Sequence, residues 1–417
     1  MGNPALRQAQ GGLSRSKPGD PAGATEETPV PKLNLRWVDE SIDRGPDPLF
    51  GTPIRQLTNS PLISWGVYCE QIYASTDGRR IAFLRRTPAE PVRLELWTAD
   101  LDSHEVARVG PAAQVLIAST PLMDSVYYVR PEGDAGRVLV RLNLRTLELD
   151  DVYPFTDCPV PRTPAVSTDE RWFVSSALLH DNVFALYRVD LRRSCWEFFH
   201  EEKDICNTHV QFEPSEGQDL LIQQNRGCVL DAAGRTLKLV GDEGAALYVV
   251  DTDGRNQRFL PLGKPHTGAV DGHQCWIGRT KRVLAVVEED LVTGNQCVVA
   301  PGDKAPRRIM PGFCFIHVCA SADGRFVAAD HGGRRYVYLG SLETGRVLHL
   351  CEAPCSRSGG HETWEEPYIT PGNRHVIFNS ERTGHAELYA ATVPDHVVAY
   401  LTEGAPAQNL ARGASSR

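Results

Sequence analysis

Short apolar runs that alternate with polar residues at a period of two follow one another along the chain, and almost no stretch sustains a period of 3.6. That pattern predicts strands. One unit recurs: a short strand, a turn containing Asp-Gly or an equivalent, and a second apolar strand. It reads Ser75-Thr-Asp-Gly-Arg-Arg-Ile-Ala-Phe83, Ser167-Thr-Asp-Glu-Arg-Trp-Phe-Val174 and Ser321-Ala-Asp-Gly-Arg-Phe-Val327. Weaker copies run from Ser119 to Val129, Glu213 to Ile222, Ile277 to Val286 and Thr370 to Phe378. After each comes an alternating strand, a polar turn and a further strand, starting at Leu96, Leu139, Leu186, Leu247, Val298, Val337 and Leu388.

Seven copies of two hairpin-like units, spaced by about 45–60 residues, suit four-stranded blades. The expectation is an all-β, seven-bladed β-propeller over residues 33–403. The segment Pro53-Ile-Arg-Gln-Leu-Thr58 precedes the first copy and can supply the outer strand of the last blade, removing the exposed edge of an open ring. Two separate α/β domains would need a helical periodicity that is not there. Residues 1–32, rich in Gly, Pro, Ser and Ala with no apolar run of signal-peptide type, are expected to be a disordered tail. Residues 404–417 are expected to be a flexible C-terminal tail.

Composition narrows the function. Hydrophobic residues make up 41% of 417 and charged residues 23%, an ordinary soluble balance. No apolar run approaches the roughly 18 residues of a membrane-spanning helix. Acidic side chains exceed basic ones, 53 to 44, so the basic face of a nucleic-acid binder is not expected. An anionic ligand would need a local cluster of His, Arg or metal. The cysteines number 11, with no CxxC pair, and no Asn-x-Ser/Thr acceptor occurs. Reduced thiols in the cytoplasm fit this usage.

The repeat register identifies a candidate site. Four residues before each turn stand Gln71, Val115, Thr163, His209, His273, His317 and Glu366. A propeller usually fills this ring with small or apolar side chains, and a single histidine there is more often a hydrogen-bonded spacer than a ligand. Three consecutive histidines and a carboxylate at one repeat position, from only 13 histidines in the chain, point instead to chemistry in blades four to seven. Imidazole and carboxylate together suit Mn, Fe, Ni or Zn. His361 lies five residues before Glu366 and can add a further ligand. Arg226 could pair with a carboxylate or simply be solvated, and Trp364 could stack on a sugar or pack between blades. No nucleophile elbow, P-loop or dinucleotide glycine motif occurs.

His273-Gln-Cys-Trp276, His317 before Ser-Ala-Asp-Gly, and the ending Thr370-Pro-Gly, Val376-Ile-Phe-Asn-Ser380, Glu387-Leu-Tyr-Ala and Thr392-Val-Pro resemble the oligogalacturonate lyases, cytoplasmic seven-bladed propellers. The resemblance covers the chain after about Leu57. It implies β-elimination on short uronate oligosaccharides, in which a histidine removes the C5 proton and a divalent metal, usually manganese, grips the carboxylate. His273 occupies the base position and His317 a metal-ligand position. The family's Gln followed by His-Pro-His-Pro is here His361-Glu-Thr-Trp-Glu-Glu-Pro367, and its arginine near the Leu247 strand falls on Ala246.

With these departures, a metal site of His317, His361 and Glu366 remains chemically reasonable, two imidazoles and a carboxylate with open positions, and Arg226 is the candidate to replace the missing cation in catalysis. His209, Gln71 and Trp364 are the substrate-binding candidates. The expected function is a metal-dependent lyase on acidic oligosaccharides, involved in pectin degradation. The alternatives are a non-catalytic propeller that binds protein or glycan, and an epimerase using the same proton abstraction.

Overall fold

The computed structural model describes residues 32–404, apart from 89–91, 116, 121, 134–135, 289 and 332–333. The segments 1–31 and 405–417 lie outside the described residues, and with them nearly all of both expected tails.

The Ser-x-Asp turns explain why the repeat folds as it does. In three copies the serine hydroxyl donates to the aspartate two residues on, at 2.6 Å, in Ser75–Asp77, Ser167–Asp169 and Ser321–Asp323. The same serine oxygen accepts the backbone N–H five residues on, from Arg80, Trp172 or Phe326, at 2.9 Å. Each turn thus locks the register of the hairpin that it closes. Gly78 sits in the left-handed region with φ +69°, and a Cβ there would lie 2.2 Å from the Pro371 carbonyl of the neighbouring blade. Only glycine fits that approach.

Seven antiparallel sheets result. Their inner strands are Ile63–Gly66, Ala118–Ser119, Ala165–Val166, Gln211–Phe212, Val270–Trp276, Val318–Ala320 and Tyr368–Ile369. Each of the seven leucines and valines expected to open the second hairpin falls in a blade's third strand, from Leu94–Asp100 in blade one to Glu387–Thr392 in blade seven. Pro53–Gln56 pairs with Glu387–Thr392, so a segment from before blade one completes blade seven. Between every two neighbouring blades lies one apolar cluster, including the cluster of Leu57, Phe83, Tyr368 and Leu388 that joins blade seven to blade one. The ring is held shut by burial on both faces of every sheet as well as by strand pairing.

Four features go beyond the repeat. Trp37–Asp39 adds a fifth strand to blade one, and Ile42–Pro46 adds one to blade seven. A small hairpin, Val229–Leu230 with Thr236–Lys238, is inserted in blade four. The helix Asp395–Glu403 follows Pro394 and ends at Gly404 with φ +73°, burying Val397 and Leu401 against blades six and seven. A nine-residue helix carries too few turns for a sustained 3.6 period, which is why the pattern did not announce it.

Candidate functional site at the channel mouth

The residues of interest lie beside or within the inner strands of blades one, four, five, six and seven. His209 comes two residues before Gln211–Phe212, and His273 lies within Val270–Trp276. His317 precedes Val318–Ala320 directly, and Glu366 comes two residues before Tyr368–Ile369. Three of these four hold a left-handed backbone: His209 at φ +40°, His273 at +50° and Glu366 at +42°. The ladder of blade five loses register between Gly272 and Cys275, and this bulge carries His273. Such backbone persists in non-glycine residues only where the surroundings hold it, and it clusters at functional sites.

A cavity of about 170 Å³ opens here, lined among others by Tyr68, Glu70, His209, Gln223, His273 and His361. Glu70 is buried, and its Oε2 lies 2.7 Å from His209 Nδ1. Asn207 Nδ2 stands 2.7 Å from His209 Nε2, which places the imidazole proton on Nδ1, toward Glu70. Glu70 also accepts the Gln274 backbone N–H at 3.2 Å and the Gln211 side-chain amide at 3.3 Å.

Behind these residues, Asp330 holds His317 through Nδ1 at 2.8 Å and through its backbone N–H at 3.1 Å. His317 Nε2 then faces Glu366 Oε1 at 3.9 Å, and the same oxygen accepts from His361 Nδ1 at 2.8 Å. The His273 ring meets the His317 ring edge-on at a centroid distance of 4.6 Å.

These environments push the histidines apart. Burial first, then the charges of His317, His209 and His361, hold His273 well below the usual imidazole range, so it is neutral at pH 7. Burial also opposes the charge on His317, but Asp330 and Glu366 outweigh it and push that ring up to about 9. Burial opposes the charge on His361 as well, but the hydrogen bond and the charge of Glu366 together outweigh it and raise that ring. Among the buried polar atoms without a hydrogen-bond partner here are His273 Nδ1, Gln223 Oε1 and Glu366 Oε2.

The sequence candidates are distributed unevenly. Gln71 lines the cavity, its Oε1 accepting from the Ser119 backbone N–H at 2.9 Å and hydroxyl at 3.0 Å. His209, His273 and His361 line it directly, while His317 and Glu366 lie buried in the hydrogen-bonded network beside them. Trp364 is not in the lining; it packs edge-on against His317 at 5.3 Å with the Arg357 guanidinium 5.3 Å from its centroid. Arg226 is not there either. Its guanidinium donates to the carbonyls of Glu243, Gly244 and Ala245 and pairs with the Glu243 carboxylate at 3.5 Å. The expected replacement cation is thus occupied elsewhere, because the blade-four insertion offers Arg226 a turn full of carbonyl acceptors.

Glu70, Asp330, Tyr68 and Asn207 were missed. Each lies off the single repeat position by which the ring was counted. Asp330 carried the clearest signal, a carboxylate ending the buried run Phe326-Val-Ala-Ala329.

Whether the residues suit a divalent cation turns on the donors present. Among the described residues no three His, Cys, Asp or Glu side chains form a cluster arranged to hold a metal. The donor types nevertheless fit, since the partnerless Glu366 Oε2 belongs to a carboxylate shared by His317 and His361. Asp330 behind His317 is the carboxylate that commonly orients a metal-binding imidazole.

No protein-family model matches the chain. Sequence comparison matches 397 residues at 21% identity to the oligogalacturonate lyase of Dickeya dadantii (strain 3937), over 84% of this chain and 96% of that protein. The oligogalacturonide lyase of Pectobacterium atrosepticum matches at 22% identity over 327 residues, 67% of this chain and 77% of that protein. Among solved structures, an oligogalacturonate lyase in complex with manganese superposes with a TM-score of 0.66 at 17% identity, covering 88% of this chain and 99% of that one. Along most of its propeller the chain is thus similar in sequence to the oligogalacturonate lyases, and it shares the fold of the solved one.

Proposed function

We propose that the protein is a β-eliminase acting on uronate-containing oligosaccharides, with His273 as the base. The observation that carries this reading is the neutral, half-buried His273, held in strained backbone on the wall of the channel-mouth cavity with one ring nitrogen unpartnered. His273 takes the C5 proton of the uronyl residue. The electron pair left behind forms the C4–C5 double bond, and the C4–O bond breaks toward the departing sugar. A lowered imidazole is always in its accepting form at neutral pH, at the expense of some basicity. His209, aligned by Glu70 and Asn207, would bind the sugar hydroxyls beside it. His317, His361 and Glu366 would hold a divalent cation, manganese by analogy with the related structure, which when bound supplies Lewis-acid polarisation of the uronyl oxygen.

All eleven cysteines are free, and no helix among the described residues is long and apolar enough to cross a membrane. The free thiols support a place in the reducing cytoplasm.

The test is an ultraviolet scan for the conjugated 4,5-unsaturated uronate, with purified protein and a panel of uronate oligosaccharides, alongside metal analysis of wild type, His317→Ala and Glu366→Ala. Product formation that depends on His273 supports the reading. Stoichiometric metal in both variants would remove the metal assignment. The engagement of Arg226 by backbone carbonyls favours a second reading, a propeller that binds such glycans without cleaving them. Saturable binding without any unsaturated product would decide for it.

A further inference from the structure

The elimination leaves one step without a residue, the proton that the departing O4 must gain. A sugar alkoxide is a poor leaving group, and a positioned donor that protonates it as the C4–O bond breaks lowers that barrier. Most groups lining the channel-mouth cavity are already engaged. His209 turns its Nδ1 proton to Glu70, and Asn207 occupies its Nε2. His361 bonds Glu366 through Nδ1, and His273 is the base. Glu70 accepts from His209, Gln211 and Gln274, and Asp271 has an interaction of its own. The side-chain amides of Gln71, Asn207 and Gln223 can bond a substrate but yield no proton.

Three hydroxyls remain in the lining, those of Tyr68, Tyr73 and Thr163. Tyr73 donates to the Ile117 carbonyl at 3.2 Å, and Thr163 shares a hydrogen bond with Thr208. The Tyr68 hydroxyl has no partner among the described residues. Its ring is nonetheless held in place. Tyr68 is 8% exposed and meets His361 edge-on at 4.9 Å, His317 edge-on at 6.3 Å and His209 at a tilt at 5.5 Å. The His273 ring reaches the same His317 at 4.6 Å. Tyr68 and His273 therefore flank one imidazole and line one cavity, the first with a free hydroxyl and the second with a free nitrogen.

We propose that Tyr68 is the proton donor to the leaving oxygen, working across the cavity from His273. The assignment rests on the elimination proposed above and supplies its missing half. In balance, the C5 proton goes to His273 and the C5–H pair becomes the C4–C5 double bond. The C4–O bond breaks with its pair going to oxygen, which takes the phenolic proton of Tyr68. Water then returns a proton to the phenolate and removes the one on His273, so nothing is oxidised or reduced. A rigid, packed ring that presents one unpartnered hydroxyl suits this role, because no hydrogen bond within the protein has to break first.

The experiment uses the full-length protein with manganese, as wild type and Tyr68→Phe, on two substrates. One is trigalacturonate, and the other is a galacturonate that carries 4-nitrophenol as an ether at O4. Nitrophenolate departs without a proton donor, so the second substrate reports the base step alone. The substitution keeps the ring and its packing, and metal analysis checks that the bound cation is retained. The variant is expected to lose about 10²–10⁴-fold in kcat on the trisaccharide and less than about threefold on the nitrophenyl ether. Equal losses on both, no loss on either, or loss of the metal overturns the proposal. Each of these leaves His273 in place, because the wild type still forms the unsaturated product. A wild type that opens neither substrate removes the elimination itself and Tyr68 with it. Should the variant fail to fold, a series of aryl ethers on the wild type decides. With a donor present, the rate should change by less than about tenfold from the most to the least acidic leaving phenol. A steep fall along that series overturns the assignment.

Discussion

Asp330 grips His317 twice, accepting from its ring Nδ1 at 2.8 Å and its backbone N–H at 3.1 Å, with the carboxylate fully buried. One carboxylate oxygen anchors the backbone of His317 while the other holds its ring, so the ring cannot turn without losing its Nδ1 bond. Asp330→Ala should therefore destabilise the fold by about 3 kcal/mol, the usual result of leaving a buried partner uncompensated. Asp330→Asn keeps the shape and removes the charge. In that variant the His317 ring should titrate well below about 9, read from its imidazole proton shift in NMR. A ring still protonated near that value would mean that Glu366 alone supplies the field.

The helix Asp395–Glu403 is a seal on the ring. Leu401 is fully buried, together with Val397, against Phe326, Leu339 and Phe378 of blades six and seven. Leu401→Ala leaves a cavity in that packing and should cost about 2–4 kcal/mol in chemical denaturation. A loss below about 0.5 kcal/mol would show that the helix contributes nothing to holding these two blades.

How much of this was legible beforehand differs between fold and site. The blades were written in period-two alternation and in Ser-x-Asp turns, both local signals. Even the closing strand Pro53–Gln56 was identifiable, because it stands just before the first repeat. The helix at the end is too short to carry a periodic signal, and the added strands Trp37–Asp39 and Ile42–Pro46 have mostly exposed or half-buried residues, so no alternation marks them. At the site, the register located His209, His273, His317 and Glu366 at one end of the channel because repeat symmetry is a geometric fact. Glu70 and Asp330 escaped the count because they meet the histidines from a neighbouring position or a second strand. The fate of Arg226 depended on an insertion whose folding no repeat could foretell. Partners set by long-range approach are legible only in three dimensions.

His375 offers a pH test away from the channel mouth. It starts the second strand of blade seven, where burial first and the Arg374 charge next push it down to about 4 from an ordinary 6.5. The folded chain therefore refuses a proton that the unfolded chain takes up between those values. That contribution to stability is present in full above about pH 6.5 and is lost progressively as the pH falls toward 4. Partial solvent contact reduces the effect, so the loss should be of order 1–3 kcal/mol. Urea denaturation of wild type and His375→Gln, at about pH 7.5 and about pH 5, isolates it. The wild type should weaken more on acidification, and equal slopes would show that His375 is protonated in both states.

His273 joins the backbone and the chemistry, and a glycine–alanine comparison separates them. Its φ of +50° is disfavoured for any residue with a Cβ and is free for glycine. If the surrounding fold imposes that conformation, His273→Gly should be more stable than His273→Ala by about 1 kcal/mol, despite the greater flexibility of unfolded glycine. Both should retain the propeller, since the side chain lies on a cavity wall and not between sheets. If the imidazole is also the base, both should lose about 10²–10⁴-fold in kcat, the usual contribution of general-base catalysis. Denaturant midpoints and single-turnover rates on the same preparations read the two effects apart. Equal stability of the two variants would mean that the loop relaxes once the ring is gone, so that the ring's contacts with His317 create the strain. Wild-type rates in both variants would remove His273 from the reaction, whatever their stability.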